Sequence, residues 1–190
     1  VPNRRLWNTS VCKGPDGYVM AIEESGEKVR TSEEVGVPFT CFFAVSKDLE
    51  NWECLPDKYC YTRTRYNACP VMRYFGGWYY MICLEAFPCA RYAPYIYRTK
   101  DFLDWEVGFH NPIMIWDDRD RIPKEGVSFD AEKLDLLKYG LNINCSDLDL
   151  CEFGGKTRIF YSNGDQMTYS FICEADYDGS LQDFMESFFR

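Results

Sequence analysis

The phrase "SKDLENWE" (residues 46–53) returns in altered spelling as "RTKDFLDWE" (98–106), about fifty residues later. Each copy follows a run of aromatic and β-branched residues, "FTCFFAV" before the first and "APYIY" before the second. A phrase that recurs at a fixed period marks a repeated structural unit. In each copy an Asp (Asp48, Asp101) precedes a Trp (Trp52, Trp105) within one turn's length. Such an Asp can accept bonds from backbone N–H groups two and three residues on and so fix a tight turn. The Trp supplies apolar surface for packing against a neighbouring unit. The phrase therefore reads as a turn between two strands with a packing staple behind it, and nothing in it points to catalysis.

Outward from that turn, three units align. The first runs "WNTSVCKGPDGYVMAIEE" (7–24) then "FTCFFAVSKDLENWECL" (39–55); the second, "YNACPVMRYFGGWYYMICLEA" (66–86) then "APYIYRTKDFLDWEVG" (93–108). The third runs "NCSDLDLCEFGGKTRIFYSNGDQ" (144–166) then "TYSFICEADYDGSLQDF" (168–184). Each opens with a strand, a Gly-bearing turn (Asp16-Gly17, Gly76-Gly77, Gly154-Gly155) and a second strand, the pattern of a hairpin whose turn needs φ > 0. Two further strands joined by the Asp-Leu-x-x-Trp-type turn complete the first two units. Four antiparallel strands in about fifty residues is the size of a propeller blade. The expected fold is all-β: a β-propeller of four-stranded antiparallel blades at about 7–55, 66–116 and 144–178. An insertion covers 117–141, helical over 130–138, and a closing helix covers 180–188.

The 190 residues are 46% hydrophobic and 17% aromatic, ample for a core. A net charge of −9 argues against nucleic acid or an anionic membrane as partner, because phosphates demand Lys and Arg. The ten Cys include no C-x-x-C pair, and several sit in apolar strand-like runs; they read as reduced thiols of a cytoplasmic protein. With one His, His110, and no ligand spacing, neither a metal site, a His-dependent triad nor any cofactor is expected.

Asn-x-Ser-Val before a Gly turn, the strand "GWYYM" and the closing Ser-x-Asp-Leu-x-x-Trp-Glu resemble the five-bladed β-propeller glycoside hydrolases of families 43, 32, 117 and 130. The resemblance covers essentially the whole sequence and lies mainly in the blade scaffold. It implies five blades, so that one or two N-terminal blades are missing from this chain, or a homo-oligomer takes their place. It also implies acids at the entrance of the innermost strands. In family 43 these are an Asp base, an Asp that tunes the acid, and a Glu in a Glu-Gly-Pro motif. Here "YNACPV" stands in the place of that motif, with Ala68 where the acid would be, and alignment on the Gly turns groups Asn8, Ala68 and Ser146.

The repeat itself supplies candidates. Residues before the first strand of a blade and at the end of its antiparallel second strand share one face. These are Trp7, Asn8 and Glu23; Arg65, Tyr66, Asn67 and Glu85; and Asp147, Asp149, Asp165 and Gln166. In "CSDLDLC", Asp147 and Asp149 alternate with leucines, so both carboxylates are expected on one side of an inner strand. Paired carboxylates can raise one pKa into the range of a general acid. The expected catalytic set is Asp147, Asp149 and Glu85, with the other eight binding substrate and Trp7, Tyr66 and Tyr92 as sugar platforms. The expected activity is hydrolysis of a glycosidic bond in a small oligosaccharide by carboxylate acid/base chemistry. The alternatives are a non-catalytic carbohydrate-binding propeller, favoured by Ala68; a glycoside phosphorylase, with Arg65 and Arg91 as the phosphate's candidates; and a structural propeller, since fold does not fix function.

Overall fold

The computed structural model describes residues 4–26, 39–62, 64–89 and 91–190; residues 27–38 of the first expected unit lie outside the described residues. The first sheet has the order β1 (Arg4–Gly14), β2 (Gly17–Gly26), β3 (Thr40–Ser46), β4 (Glu53–Cys54). The second repeats it with β5 (Ala68–Phe75), β6 (Trp78–Phe87), β7 (Arg91–Thr99) and β8 (Trp105–Val107). The third has β9 (Ser146–Phe153), β10 (Lys156–Ser162) and β11 (Ile172–Tyr177), after which the chain enters a helix. All named strand pairs are antiparallel neighbours in sequence.

The first two strands of each sheet form a tight hairpin, closing at Gly14↔Gly17, Phe75↔Trp78 and Phe153↔Lys156. Gly17 is required twice over. Its φ is +131°, and a Cβ there would stand 2.4 Å from the Ser46 carbonyl oxygen. The repeated phrase does what its chemistry dictates. Asp48 Oδ1 accepts from the N–H groups of Glu50 (2.9 Å) and Asn51 (2.8 Å), and Asp101 Oδ1 from those of Leu103 and Asp104 (both 2.9 Å). These bonds favour the ionised form and hold both carboxyls below the usual carboxylate range. Trp105 stacks on Phe43 of the first sheet (centroids 5.7 Å apart), stapling two sheets together.

The sheets pack face to face, with β5 beside β1 on one side and β9 on the other. Strand β6 shows how. Tyr79, Met81 and Cys83 turn toward Cys12, Val19, Ala21, Cys41 and Phe43 of the first sheet. Tyr80 and Ile82 turn the opposite way, onto Leu148, Leu150 and Ile159 of the third. Buried on both faces, the strand reads as the unbroken apolar run "WYYMICL" instead of alternating.

Two helices complete the fold. Helix α1 (Ala131–Tyr139) is N-capped by Asp130, whose side chain accepts from the Lys133 N–H. Helix α2 (Leu181–Ser187), capped by Ser180, buries Leu181, Phe184 and Met185 against the second and third sheets. The ten cysteines are free; Cys41 and Cys83 bring their sulfurs within 3.8 Å across the first interface without bonding covalently. Among the described residues no helix is long and apolar enough to cross a membrane.

Candidate functional site

The first strand of each sheet carries a β-bulge near its start. The register slips between Leu6 and Thr9 in β1, Ala68 and Val71 in β5, and Ser146 and Asp149 in β9. Bulges bend a strand end and re-aim its side chains. Cys69 and Asp147 adopt left-handed backbones in doing so, φ +50° and +52°. Counted back from the hairpins, Asn8, Cys69 and Asp147 occupy one repeat position, each six residues before its strand's last paired residue. The structure therefore corrects the alignment of Asn8 with Ala68 and Ser146: Ala68 and Ser146 share a position, and Asn8 belongs one step further along.

That position forms a row across the three sheets. Asn8 Nδ2 reaches Cys69 Sγ at 3.5 Å, and the Cys69 thiol donates to Asp147 Oδ1 at 3.0 Å. Glu23, only 3% exposed, lies behind the row. Its Oε2 accepts from Asn8 Nδ2 (2.9 Å) and from the Cys69 backbone N–H (2.7 Å). One residue thus ties together carboxylates from the first and third sheets: Glu23 at its nitrogen, Asp147 at its sulfur. Burial raises the Cys69 thiol well above the ordinary range, and the negative charges of Asp147 and Glu23 raise it further. Raised above its ordinary value, it is a thiol near neutral pH and the donor to Asp147.

An arc of rings flanks the row. Trp7 meets Phe39 edge-on (6.3 Å), Phe39 meets Tyr66 (5.5 Å), and Tyr66 meets Tyr92 (5.6 Å). Trp7 donates its indole N–H to Ser25 Oγ (2.8 Å) yet remains 54% exposed, so its face is available. Burial, then the neighbouring negative groups that include Glu23 and Asp147, raise the Tyr66 hydroxyl.

The three acids of the expected catalytic set have three separate sets of partners. Asp147 has Cys69 and the Ser146 hydroxyl (3.0 Å). Asp149 pairs with Arg73 Nη2 from β5 at 2.8 Å. Glu85, 8% exposed, accepts from Arg65 Nη2 at 2.5 Å and from the Tyr97 hydroxyl. Burial raises the Glu85 carboxyl despite the opposing pull of Arg65. By hairpin count the counterpart of Glu85 is Glu24, also buried, and not Glu23.

The remaining expected residues divide. Asn67 is fully buried, and among the described residues neither its side-chain nitrogen nor its oxygen has a hydrogen-bond partner. Asp165 folds its carboxylate back into its own turn, accepting from the N–H groups of Met167 (2.9 Å), Thr168 (2.8 Å) and Tyr169 (3.1 Å). Gln166 lines a cavity with Asp147. Cys69, Phe39 and Tyr97 escaped the sequence reading. A count from the hairpin would have placed Cys69 beside Asn8 and Asp147, whereas Phe39 carries no signal in the repeat.

No protein-family model matches the sequence, and no curated protein does. Solved structures do. The RGII complex of BT0996 superimposes with a TM-score of 0.62 at 14% identity, covering 92% of this protein and 47% of that one. The Bombyx mori GH32 β-fructofuranosidase BmSUC1 gives 0.60 at 14%, covering 97% and 36%. A glycoside hydrolase structure gives 0.57 at 14%, covering 92% and 47%. These neighbours are glycoside hydrolases of propeller fold. The fold of this protein is a β-propeller fold. Its sheets are blades, β1, β5 and β9 the innermost strands. The chain spans less than half the length of each of these three structures.

Proposed function

We propose that the protein is a glycoside hydrolase and that Glu23 and Asp147 form its working carboxylate pair. The observation that carries the reading is the bridge through Cys69, which holds two carboxylates from different blades at its nitrogen and its sulfur. Glycosidases keep such a pair roughly 5–9.5 Å apart, close enough to flank one glycosidic bond. In this role one carboxyl protonates the leaving oxygen, while the other acts as nucleophile or as base toward water. Asn8 bonds within the row, Tyr66 belongs to its ring arc, and Trp7 offers a ring face to a sugar. Arg65 is committed to Glu85, and Arg91 lies over the Trp116 ring, which weighs against a phosphorolytic reaction. The ten free thiols support a reducing compartment, the cytoplasm.

A screen of 4-nitrophenyl glycosides and neutral oligosaccharides, with and without phosphate, tests the reading. Glu23→Gln and Asp147→Asn should each lower kcat by at least about 100-fold while the thermal transition persists. Wild-type turnover in both variants would remove the pair from the chemistry. A second reading rests on Asn8, the amide that holds in the first blade the place Asp147 holds in the third, and on the acid-less Ala68: a propeller that binds saccharide without cleaving it. Saturable binding with no product would select it.

A further inference from the structure

Next to Asp147, the loop between β10 and β11 lines an open cavity of about 430 Å³. That volume falls in the roughly 300–1,000 Å³ range of small-molecule sites. Ser162, Gln166 and Ser170 line it, and among the described residues their side chains make no hydrogen bond, so their donors and acceptors remain open to a ligand. Among the described residues Asp147 is the single charged residue in the wall, and none that line it is Lys or Arg. Met167, 82% exposed, stands at the rim as an apolar surface.

The loop is built to hold this arrangement. Gln166 sits at φ +62°, a conformation that costs a non-glycine residue free energy and persists only where its surroundings impose it. Asp165 imposes it by collecting the N–H groups of Met167, Thr168 and Tyr169. Gly164, at φ +103°, brings the backbone so close that a Cβ would stand 2.5 Å from the Tyr169 carbonyl oxygen.

We propose that this cavity is a subsite for an uncharged sugar unit adjoining the one that is cleaved, with Gln166 as its specificity-determining contact and Asp165 as the residue that positions Gln166. The proposal rests on the glycosidase reading. Three free polar groups match a ring dense in hydroxyls, and Met167 can cover the ring's C–H face. With no cation beside it among the described residues lining the cavity, the Asp147 carboxylate repels uronates, sulfates and phosphates. A neutral unit is left.

The test is direct binding, measured by calorimetry with xylobiose, arabinobiose, sucrose and digalacturonate. At least one neutral disaccharide should bind at least 10-fold more tightly than digalacturonate. For that disaccharide Gln166→Ala should weaken Kd by about 10-fold, the loss of one or two hydrogen bonds, while the Kd of its component monosaccharide stays within about 2-fold. Asp165→Ala should reproduce the loss, and Asp165→Asn, whose amide oxygen can accept the same N–H bonds, should restore affinity. In wild-type protein carrying ¹³C-methyl methionine, the Met167 methyl signal should shift with the disaccharide and not with the monosaccharide. A neutral disaccharide that binds wild type and Gln166→Ala equally, leaving Met167 unmoved, overturns the subsite and leaves the glycosidase reading standing. Preferred binding of digalacturonate overturns the neutral-ligand assignment. Failure of every saccharide to bind removes the reading and the subsite together.

Discussion

Replacing Arg65 with Ala should destabilise the protein in a manner that depends on pH. The Arg65–Glu85 pair joins Nη2 to Oε2 at 2.5 Å, with the arginine side chain 42% exposed and the glutamate 11%. Removing one partner of a fully buried pair costs about 3–5 kcal/mol, whereas exposed pairs contribute about 0–1. With one partner wet and the other dry, the expected cost near pH 7.5 is about 2 kcal/mol. Burial already raises the Glu85 carboxyl, and Arg65 opposes that rise; without Arg65 the carboxyl climbs further. A carboxyl whose folded pKa exceeds its unfolded value, about 4.3, contributes its full stability below that value and loses it as pH rises through the folded pKa. The penalty of Arg65→Ala should therefore be small near pH 4.5 and grow to its plateau above the raised pKa. Urea unfolding followed by tryptophan fluorescence from pH 4.5 to 8 measures it, and adding Glu85→Gln should flatten the dependence. A penalty that is constant across this range, or larger in acid, would refute the reasoning.

Phe43, 1% exposed and packed on Phe102 and Trp105, sits between two blades; Phe43→Ala should cost about 3–5 kcal/mol in the same unfolding assay, and a cost below about 1 would show that the blades do not depend on this contact. Iodoacetamide applied to native protein should label Cys54, Cys89 and Cys151, which are exposed, and spare Cys41, Cys83 and Cys145. Burial holds the Cys145 thiol up to about 12, so it lacks the reactive thiolate as well as access. Mass spectrometry of the alkylated protein reads the outcome, and rapid labelling of Cys145 would contradict the packing between the second and third blades.

The blades were legible because their signals are local. Asp48 and Asp101 bond to N–H groups two and three residues away, so a turn is written within one short phrase. The innermost-strand register was not legible. Gly17 opens β2, whereas Gly77 and Gly155 end their turns, so counting from the second glycine slips the first blade by one residue. The bulges add a further residue that period-two reasoning cannot see. For the site, the expected ring of acids assumed that Asp147 and Asp149 would share an environment. The partner of Asp149 is Arg73, and that of Asp147 is the thiol of a residue 78 positions earlier. Contacts of that kind arise from blade-on-blade packing, which no periodicity within a blade records.

The alternating burial of β6 gives the three blades unequal standing. The first and third each lean on one neighbour among the described residues, while the middle blade carries Met81 into one interface and Ile82 into the other. In an array stabilised by nearest-neighbour contacts, an interior unit couples two interfaces and a terminal unit one. The middle blade is the keystone of this arch. Damage to its second strand loosens both seams at once, and with them the Cys69 hinge on which Glu23 and Asp147 are jointly hung.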